Sequence, residues 1–209
     1  MFAYCNNNPI RLIDSSGFSP YDCAYYLVES SSELVEEIIL YEGQAISATI
    51  SGNTYYIDLH IVFDGVVDVD YLINGLKNYR EGTYTYDGYT FSIYMNVNQG
   101  TSSGGHAIYV NTFGEYGRSY CTYNVRHWKK AKESTIFLYE HYYSTVGCDW
   151  TFAHEIGHSL GIGDYYTKVG QSGYSKTFPS IMNIPGQPAC AADAYMLLLA
   201  LVSNRRQSW

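Results

Sequence analysis

The segment His154–Asp164, HEIGHSLGIGD, constrains this chain more than any other part of its sequence. His154 and His158 are four positions apart, so an α-helix would place both imidazole rings on one face, within reach of one metal ion. Glu155 would point to the side of that face, where its carboxylate can hold a water on the metal without being a ligand. The spacing therefore predicts a helix that carries half of a metal site and a base.

The third ligand is expected where this helix ends. Gly161 favours the left-handed backbone conformation that terminates helices and would turn Asp164 back towards the metal. No glutamate follows Glu155 and no histidine follows His158, so Asp164 and Asp193 are the only downstream carboxylates. Asp193 stands near the start of an apolar helical segment, where an acid is favoured by unpaired backbone N–H groups. We therefore predict Asp164 as the third ligand and a helix-starting role for Asp193.

Four histidines upstream offer an alternative third ligand. Each is isolated in an aromatic or polar stretch, where single histidines are more often packing or surface residues; they are His60, His106, His127 and His141.

Zinc is the cofactor that this pattern indicates. Neutral imidazoles bind zinc and bring the pKa of a zinc-bound water to roughly 7, and a neighbouring carboxylate such as Glu155 can then take its proton. Three protein ligands leave one position open, which is typical of catalytic zinc, whereas structural sites usually have four ligands rich in cysteine. The alternatives are a structural zinc site and a helix with two surface histidines.

The same segment resembles the metzincin signature, H-E-x-x-H-x-x-G-x-x-H, with aspartate at the third ligand position as in snapalysin-like metalloproteases. The resemblance implies a zinc endopeptidase that acts on a protein substrate, with His154, His158 and Asp164 as ligands and Glu155 as the base. It also implies a methionine turn beneath the metal, for which Met182 in PSIMN is the candidate.

The metal-binding tyrosine of some metzincins has no counterpart here, and the residue that would stabilise the oxyanion is not fixed by the motif. Some metzincins carry a metal-binding tyrosine two residues after the methionine, but Ile184 stands there. Tyr165 and Tyr166 are candidates for stabilising the oxyanion.

Hydrophobic patterning predicts an α+β fold of strands and helices. The metzincin resemblance implies a twisted mixed sheet with helices, then the histidine helix, the methionine turn and a C-terminal helix. A first helix is predicted from the Ser30 and Glu33 capping box through LVEEIIL to Gly43. Hairpins are predicted around 51–53 and around Asp87-Gly88, with a helix capped by Asp68 or Asp70 between them. STIFLYE predicts a strand before the histidine helix.

Metzincins bind substrates as an added antiparallel strand, so one exposed edge strand is expected near the cleft. The candidate follows the Gly104-Gly105 pair and comprises Ala107, Ile108, Tyr109, Val110 and Asn111.

Composition limits the partners. A net charge of −8 disfavours nucleic acid, and the basic run Arg126–Lys132 is interpreted as a solvated loop. No window has the 18 or more apolar residues of a membrane span.

The five cysteines leave at least one outside any intramolecular disulfide, and Cys5 or Cys23 could block the zinc in a latent form.

The N-terminal residues resemble the end of the RHS-repeat-associated core domain, Y-x-Y-x-x-N-N-P-I-x-x-x-D-P-x-G-L, with Ser15 in place of the proline and Phe18 in place of the leucine. The matching residues are Phe2, Tyr4, Asn7, Asn8, Pro9, Ile10, Asp14, Gly17 and Phe18. In that family the motif marks where a large shell protein releases a C-terminal toxin, and Asp14, Gly17 and Phe18 would form the processing motif. An ordinary turn-rich arm is the alternative.

This resemblance implies residues 1–20 as the tail of an RHS core domain and residues 21–209 as the peptidase, with an upper part 21–160 and a lower part 161–209. The function expected is that of a bacterial polymorphic toxin effector, secreted or delivered within a larger protein and neutralised by a cognate immunity protein. A secreted general protease and a non-catalytic zinc-containing binding module are the alternatives.

Overall fold

The fold is described by a computed structural model of the chain. The residues that it describes are 38–66, 68–101, 106–113, 117–123, 132–139, 147–164, 179–204 and 207. The predicted helix start at Ser30 and Glu33, the processing motif at Asp14, Gly17 and Phe18, and the cysteines Cys5 and Cys23 lie outside these residues.

A mixed sheet with three helices makes up the described part of the chain. The strands are β1 (Ile38–Glu42), β2 (Ile46–Ser51), β3 (Thr54–Asp64), β4 (Gly82–Tyr86), β5 (Tyr89–Gln99), β6 (Ile108–Phe113), β7 (Tyr120–Thr122) and β8 (Ser134–Tyr139). The helices are α1 (Val69–Arg80), α2 (Cys148–Ser159) and α3 (Ala191–Ser203). The α+β class with a mixed sheet is therefore confirmed.

The sheet order is β1-β2-β3-β6-β8-β7, and the β4–β5 hairpin joins it through β5, which pairs with β3. β3 is parallel to β5 and β6, and β6 is parallel to β8. β7 runs antiparallel to β8 at one end of the order. Both predicted hairpins are present, and Asp87 and Gly88 have the positive φ angles, 52° and 86°, of a two-residue hairpin turn.

One face of the sheet forms the core. Along β2, the side chains of Ile46, Ala48 and Ile50 are buried, and the residues between them are partly exposed, as strand geometry requires. Phe63 of β3 packs against Phe152 of α2, which places α2 on this buried face. The histidine helix therefore rests directly on the sheet.

The predicted helix at LVEEIIL is wrong where the structure describes it. Residues Ile38–Glu42 form β1 and pair with β2, with Ile38 opposite Ile50. A short apolar run does not distinguish a helix from a strand, and the β-branched Ile38 and Ile39 suit the pleated surface that β2 offers.

The second predicted helix is confirmed, and its cap is Asp68. The Asp68 carboxylate accepts a hydrogen bond from the Tyr71 backbone N–H at 2.9 Å. Such a bond satisfies one of the N–H groups that a helix leaves open at its start.

The interpretation of 126–132 as a solvated loop is wrong at its last residue. Lys132 is buried, and its Nζ donates to Asn204 Oδ1 at 2.8 Å, at the C-terminal end of α3. Burial lowers the pKa of Lys132 to about 7. A helix C-terminus favours a cation, which accounts for a buried lysine at this place.

We predict that Gly75→Ala destabilises the protein although alanine is the better helix former. A methyl group at Gly75 would overlap Cβ of Asp149, where α1 crosses the start of α2. Overpacking costs about 1–3 kcal/mol, more than the roughly 1 kcal/mol that the change gains in helix propensity. Urea denaturation should show a lower free energy of unfolding. The exposed neighbour Asn74→Ala is the control, and equal stabilisation of both variants would contradict the predicted overlap.

Candidate metal centre

α2 carries both histidines and ends where the sequence predicted. Gly161 has a φ of +98°, its N–H donates to His158 O at 3.0 Å, and the Ile162 N–H donates to Gly157 O at 2.9 Å. These two bonds form the reversed pair that closes a helix on a left-handed glycine. The chain after α2 is held further by a short bridge between Ile162 and Gln207.

This turn brings Asp164 to the histidines. Asp164 Oδ1 lies 3.3 Å from His154 Nε2 and 3.3 Å from His158 Nε2. The two imidazole side chains are about one tenth exposed and the aspartate side chain about one quarter. Within the described part of the chain, these three side chains form a group that could hold a metal ion.

The hydrogen bonds of the two rings fix which nitrogen faces this group. His154 Nδ1 lies 2.8 Å from Ile181 O, and His158 Nδ1 lies 2.8 Å from Ile162 O. A carbonyl oxygen only accepts, so both Nδ1 atoms carry protons and donate. In a neutral ring, Nε2 then offers a lone pair to the centre, which is the arrangement that metal-binding histidines adopt.

The donor set fits a cation. Asp164 Oδ1 is buried, and as long as both rings are neutral it has no hydrogen-bond donor among the described residues, so three lone pairs would face one another. Such a cluster needs a metal ion or a shared proton to offset its repulsion. Glu155 Oε2, on the same helix, is also buried and has no hydrogen-bond partner among the described residues.

The pKa values follow from this crowding. Burial alone would raise the pKa of the Asp164 carboxyl, but hydrogen bonds and charge from His154 and His158 outweigh burial and hold the pKa well below its usual range. Burial alone would lower the pKa of His154, but Asp164 and Glu155 outweigh it, so that pKa is raised. Without a metal, His154 therefore retains a proton to a higher pH than a free imidazole.

Met182 lies in the turn that supports the first histidine. It is fully buried, and the residue before it, Ile181, accepts the His154 hydrogen bond. Arg80 of α1 reaches the same turn: its Nη2 donates to Met182 Sδ at 3.2 Å, and its Nε donates to Ala153 O at 2.7 Å. The arginine thus joins this turn to the residue that precedes His154.

Gly157, inside the histidine segment, makes room for that arginine. A methyl group at Gly157 would overlap Arg80 Nη2 and crowd Met182 Sδ at 2.7 Å. Sequence reasoning missed Arg80, because arginine is almost never fully buried and nothing around it in the sequence signals burial. The only trace is the glycine between Glu155 and His158.

The predicted substrate edge strand is wrong. Ala107 is buried just before β6, and Ile108, Tyr109, Val110 and Asn111 lie within β6. β6 pairs with β3 on one side and with β8 on the other, so its backbone is engaged along both edges. A peptide cannot join the sheet there as an added strand.

The other candidates divide between described and undescribed residues. His106 lies 2.6 Å from Glu133 Oε2, away from the metal group, and His60 lies against Gly100. Neither contributes to the group at His154. His127, His141, Gly104, Gly105, Tyr165 and Tyr166 lie outside the described residues.

No family model and no curated protein matches the sequence. None of the helices in the described ranges is long and apolar enough to cross a membrane.

We predict that metal removal costs more stability as pH rises. The raised pKa of His154 means that its proton stabilises the metal-free fold below the ordinary pKa of about 6.5, and that this contribution is lost as pH rises through the folded-state pKa. The difference in Tm between zinc-loaded and chelator-treated protein should therefore grow from about pH 6 to about pH 8. Asp164→Asn is the control and should reduce the difference at both values. A difference that shrinks with rising pH would contradict the assignment.

Proposed function

We propose that this chain is a zinc-dependent endopeptidase of metzincin type that acts as the effector domain of a bacterial polymorphic toxin. One observation carries the proposal: two imidazole nitrogens and a carboxylate oxygen converge, and Glu155, which acts electrostatically on His154, has a buried carboxylate oxygen with no hydrogen-bond partner among the described residues. A base next to three ligands is the arrangement that metal-assisted hydrolysis requires.

The spacing of the ligand atoms supports zinc as the metal. Tetrahedral zinc with bonds of about 2.0–2.2 Å to nitrogen and oxygen separates its ligand atoms by roughly 3.3–3.6 Å. The distances from Asp164 Oδ1 to the two Nε2 atoms, both 3.3 Å, agree with this separation. Two imidazoles and one carboxylate also form a donor set that zinc accepts, and three ligands leave room for water or substrate.

The protein's own groups supply the proton transfer. Zinc, when bound, polarises a peptide carbonyl and makes water acidic enough to lose a proton near neutral pH. Glu155 takes the proton from the attacking water, because its Oε2 has no competing donor in the described residues. The protonated Glu155 then delivers that proton to the leaving amine, which completes hydrolysis without a covalent enzyme intermediate.

β7 replaces β6 as the strand that we propose for substrate binding. Among the described strands, β7 pairs only with β8, so its other edge is not used by the sheet. It lies beside α2, since Cys121 Sγ is 3.4 Å from Ser159 Oγ. An extended peptide could add to this edge by backbone hydrogen bonds.

The order of elements also supports a metzincin. A mixed sheet, the histidine helix, the Met182 turn and a C-terminal helix follow one another in the order that the resemblance implies. The effector role rests on the resemblance of residues 1–18 to the end of an RHS core domain. It implies an RHS shell, an immunity protein that covers the site, and secretion or delivery from a bacterium.

We predict that Glu155→Gln lowers peptide hydrolysis by about 10²–10⁴-fold while zinc still binds, because the amide cannot take the proton and the ligands remain. Hydrolysis of an unfolded protein and zinc content should be measured together. Glu133→Gln, a carboxylate paired with His106 away from the site, is the matched control.

The same variant separates the proposed role from its alternatives. Expression in bacterial or eukaryotic cells should be toxic, and toxicity should be lost in Glu155→Gln and suppressed by the product of the adjacent gene. A general protease would cut many proteins with no protection from that gene. A binding module would keep its cellular effect in Glu155→Gln, which would overturn the proposal.

We predict that Asp164→His shifts the pH optimum of hydrolysis downward. An aspartate ligand adds one negative charge that histidine does not, which makes water on the metal less acidic. The pH profile of kcat/KM should therefore lie higher for the natural Asp164 protein than for the variant. Equal or reversed optima would contradict a ligand role for the Asp164 charge.

A further inference from the structure

A fully buried carboxylate holds the turn beneath His154. Asp193, at the start of α3, accepts from Cys190 N–H at 2.9 Å, as predicted for an acid that begins a helix. It also accepts from Ser180 Oγ at 2.6 Å and from Ile181 N–H at 3.2 Å. The bonds from Ser180 and Ile181 are not part of the helix cap. They connect Asp193 to the turn whose Ile181 carbonyl accepts the His154 hydrogen bond.

These contacts form a continuous chain of hydrogen bonds from His154 to Asp193. His154 Nδ1 donates to Ile181 O at 2.8 Å, and the N–H of the same peptide unit, on Met182, donates to Ser180 Oγ at 3.0 Å. Ser180 Oγ in turn donates to Asp193 Oδ1. One peptide unit and one hydroxyl therefore separate the imidazole from the carboxylate.

The donors in this chain all point towards Asp193. The carboxylate oxygen only accepts, so the single Ser180 hydroxyl proton is committed to it, and the hydroxyl oxygen is left to accept from Met182. The Met182 N–H belongs to the same peptide unit as the Ile181 carbonyl. Its hydrogen bond to Ser180 polarises this unit and makes the carbonyl a better acceptor for His154. Aligned bonds of this kind strengthen one another where water is excluded, and Ser180, Ile181, Met182 and Asp193 are all at most 1 % exposed.

A buried cation helps to stabilise the charge at the end of the chain. Arg80 is fully buried, donates to Met182 Sδ and interacts electrostatically with Asp193. Three hydrogen-bond donors and this guanidinium compensate the carboxylate, which would otherwise be costly to bury.

His158 has a parallel chain with a neutral end. Its Nδ1 donates to Ile162 O, and the N–H of that peptide unit, on Gly163, donates to Gln207 O at 2.8 Å. The chain from His158 ends on a backbone carbonyl, whereas the chain from His154 ends on a carboxylate. The two histidines are therefore supported alike in geometry and differently in charge.

We propose that Ser180 and Asp193 are positioning residues that transmit the carboxylate charge through one peptide unit to His154 and thereby strengthen its bond to the metal. A carboxylate that receives the Nδ1–H of a ligand histidine raises the basicity of the ring, and here the same effect acts through Ile181 and Ser180. The inference rests on the proposed metal centre, because the tuning acts on a bound cation.

The test uses Glu155→Gln protein, so that proteolysis does not interfere, and measures zinc affinity by competition with a chromophoric chelator. Ser180→Ala should lower the affinity about 10-fold, at the lower end of the 10–100-fold range for partners of ligand histidines, because the link here is indirect. Asp193→Asn should act in the same direction. The double variant should be little weaker than the more affected single variant, because both changes interrupt one chain.

The matched control is Ser119→Ala. Ser119 is a buried serine whose Oγ accepts from the Tyr139 N–H at 3.0 Å, as Ser180 accepts from Met182, but it lies at the sheet edge. It should leave the zinc affinity unchanged. A loss of stability without a loss of affinity in Ser180→Ala would mean a merely structural role and would overturn the proposal.

Nitrogen chemical shifts of the metal-free protein give a second readout. In Ser180→Ala the Nδ1 resonance of His154 should move towards that of a weaker hydrogen bond, while that of His158 stays in place. Equal movement of both resonances, or of neither, would overturn the proposal. If the Glu155→Gln protein binds no zinc, the metal centre and this inference both fail; if it binds and Ser180→Ala binds equally well, only this inference fails.

Discussion

Two neutral imidazole nitrogens and one carboxylate oxygen repel one another in a largely buried space unless a metal ion or a proton lies between them. His154, His158 and Asp164 meet in this way, and the Nδ1 atoms of the two histidines donate to backbone carbonyls. The turn at Gly161 brings the Asp164 oxygen to the group, and the Met182 turn holds the His154 ring through Ile181. Both turns therefore place a lone pair at the same point. A bound metal ion would relieve this repulsion between ligands that the fold already holds in place, and this relief would contribute to the metal affinity that we propose.

Charge extends further from the centre than its ligands do. Arg80 and Asp193 are buried and both contact the Met182 turn, and neither belongs to the metal group. Their opposite charges compensate one another inside the protein and fix the turn on which His154 rests. Among the described residues, the buried Asp, Glu, Lys and Arg side chains are Arg80, Lys132, Glu155 and Asp193, and two of these four contact the Met182 turn. This placement argues for a role in holding or tuning the centre.

Much of the site was predictable because its signals are local. Helical spacing places His154 and His158 together. Glycine tolerates the left-handed conformation that ends the helix at Gly161, and the closing hydrogen bonds join residues only a few positions apart. The failures concern long-range pairing. IILYE forms β1 because it pairs with β2. β6 is an inner strand because it pairs with β8 as well as with β3. No local pattern records which strand will arrive as a neighbour.

The sequence by itself determined the candidate site: the three donor residues, the carboxylate of Glu155 that we propose as the base, the helix that aligns the histidines and the turn that adds Asp164. These follow from side-chain type and short-range backbone geometry. Only the tertiary structure decided that Arg80 lies beneath the histidine helix and that Asp193 connects to His154 through Ser180. Burial of a charge depends on partners that lie far apart in the chain, since folding alone brings the compensating groups together.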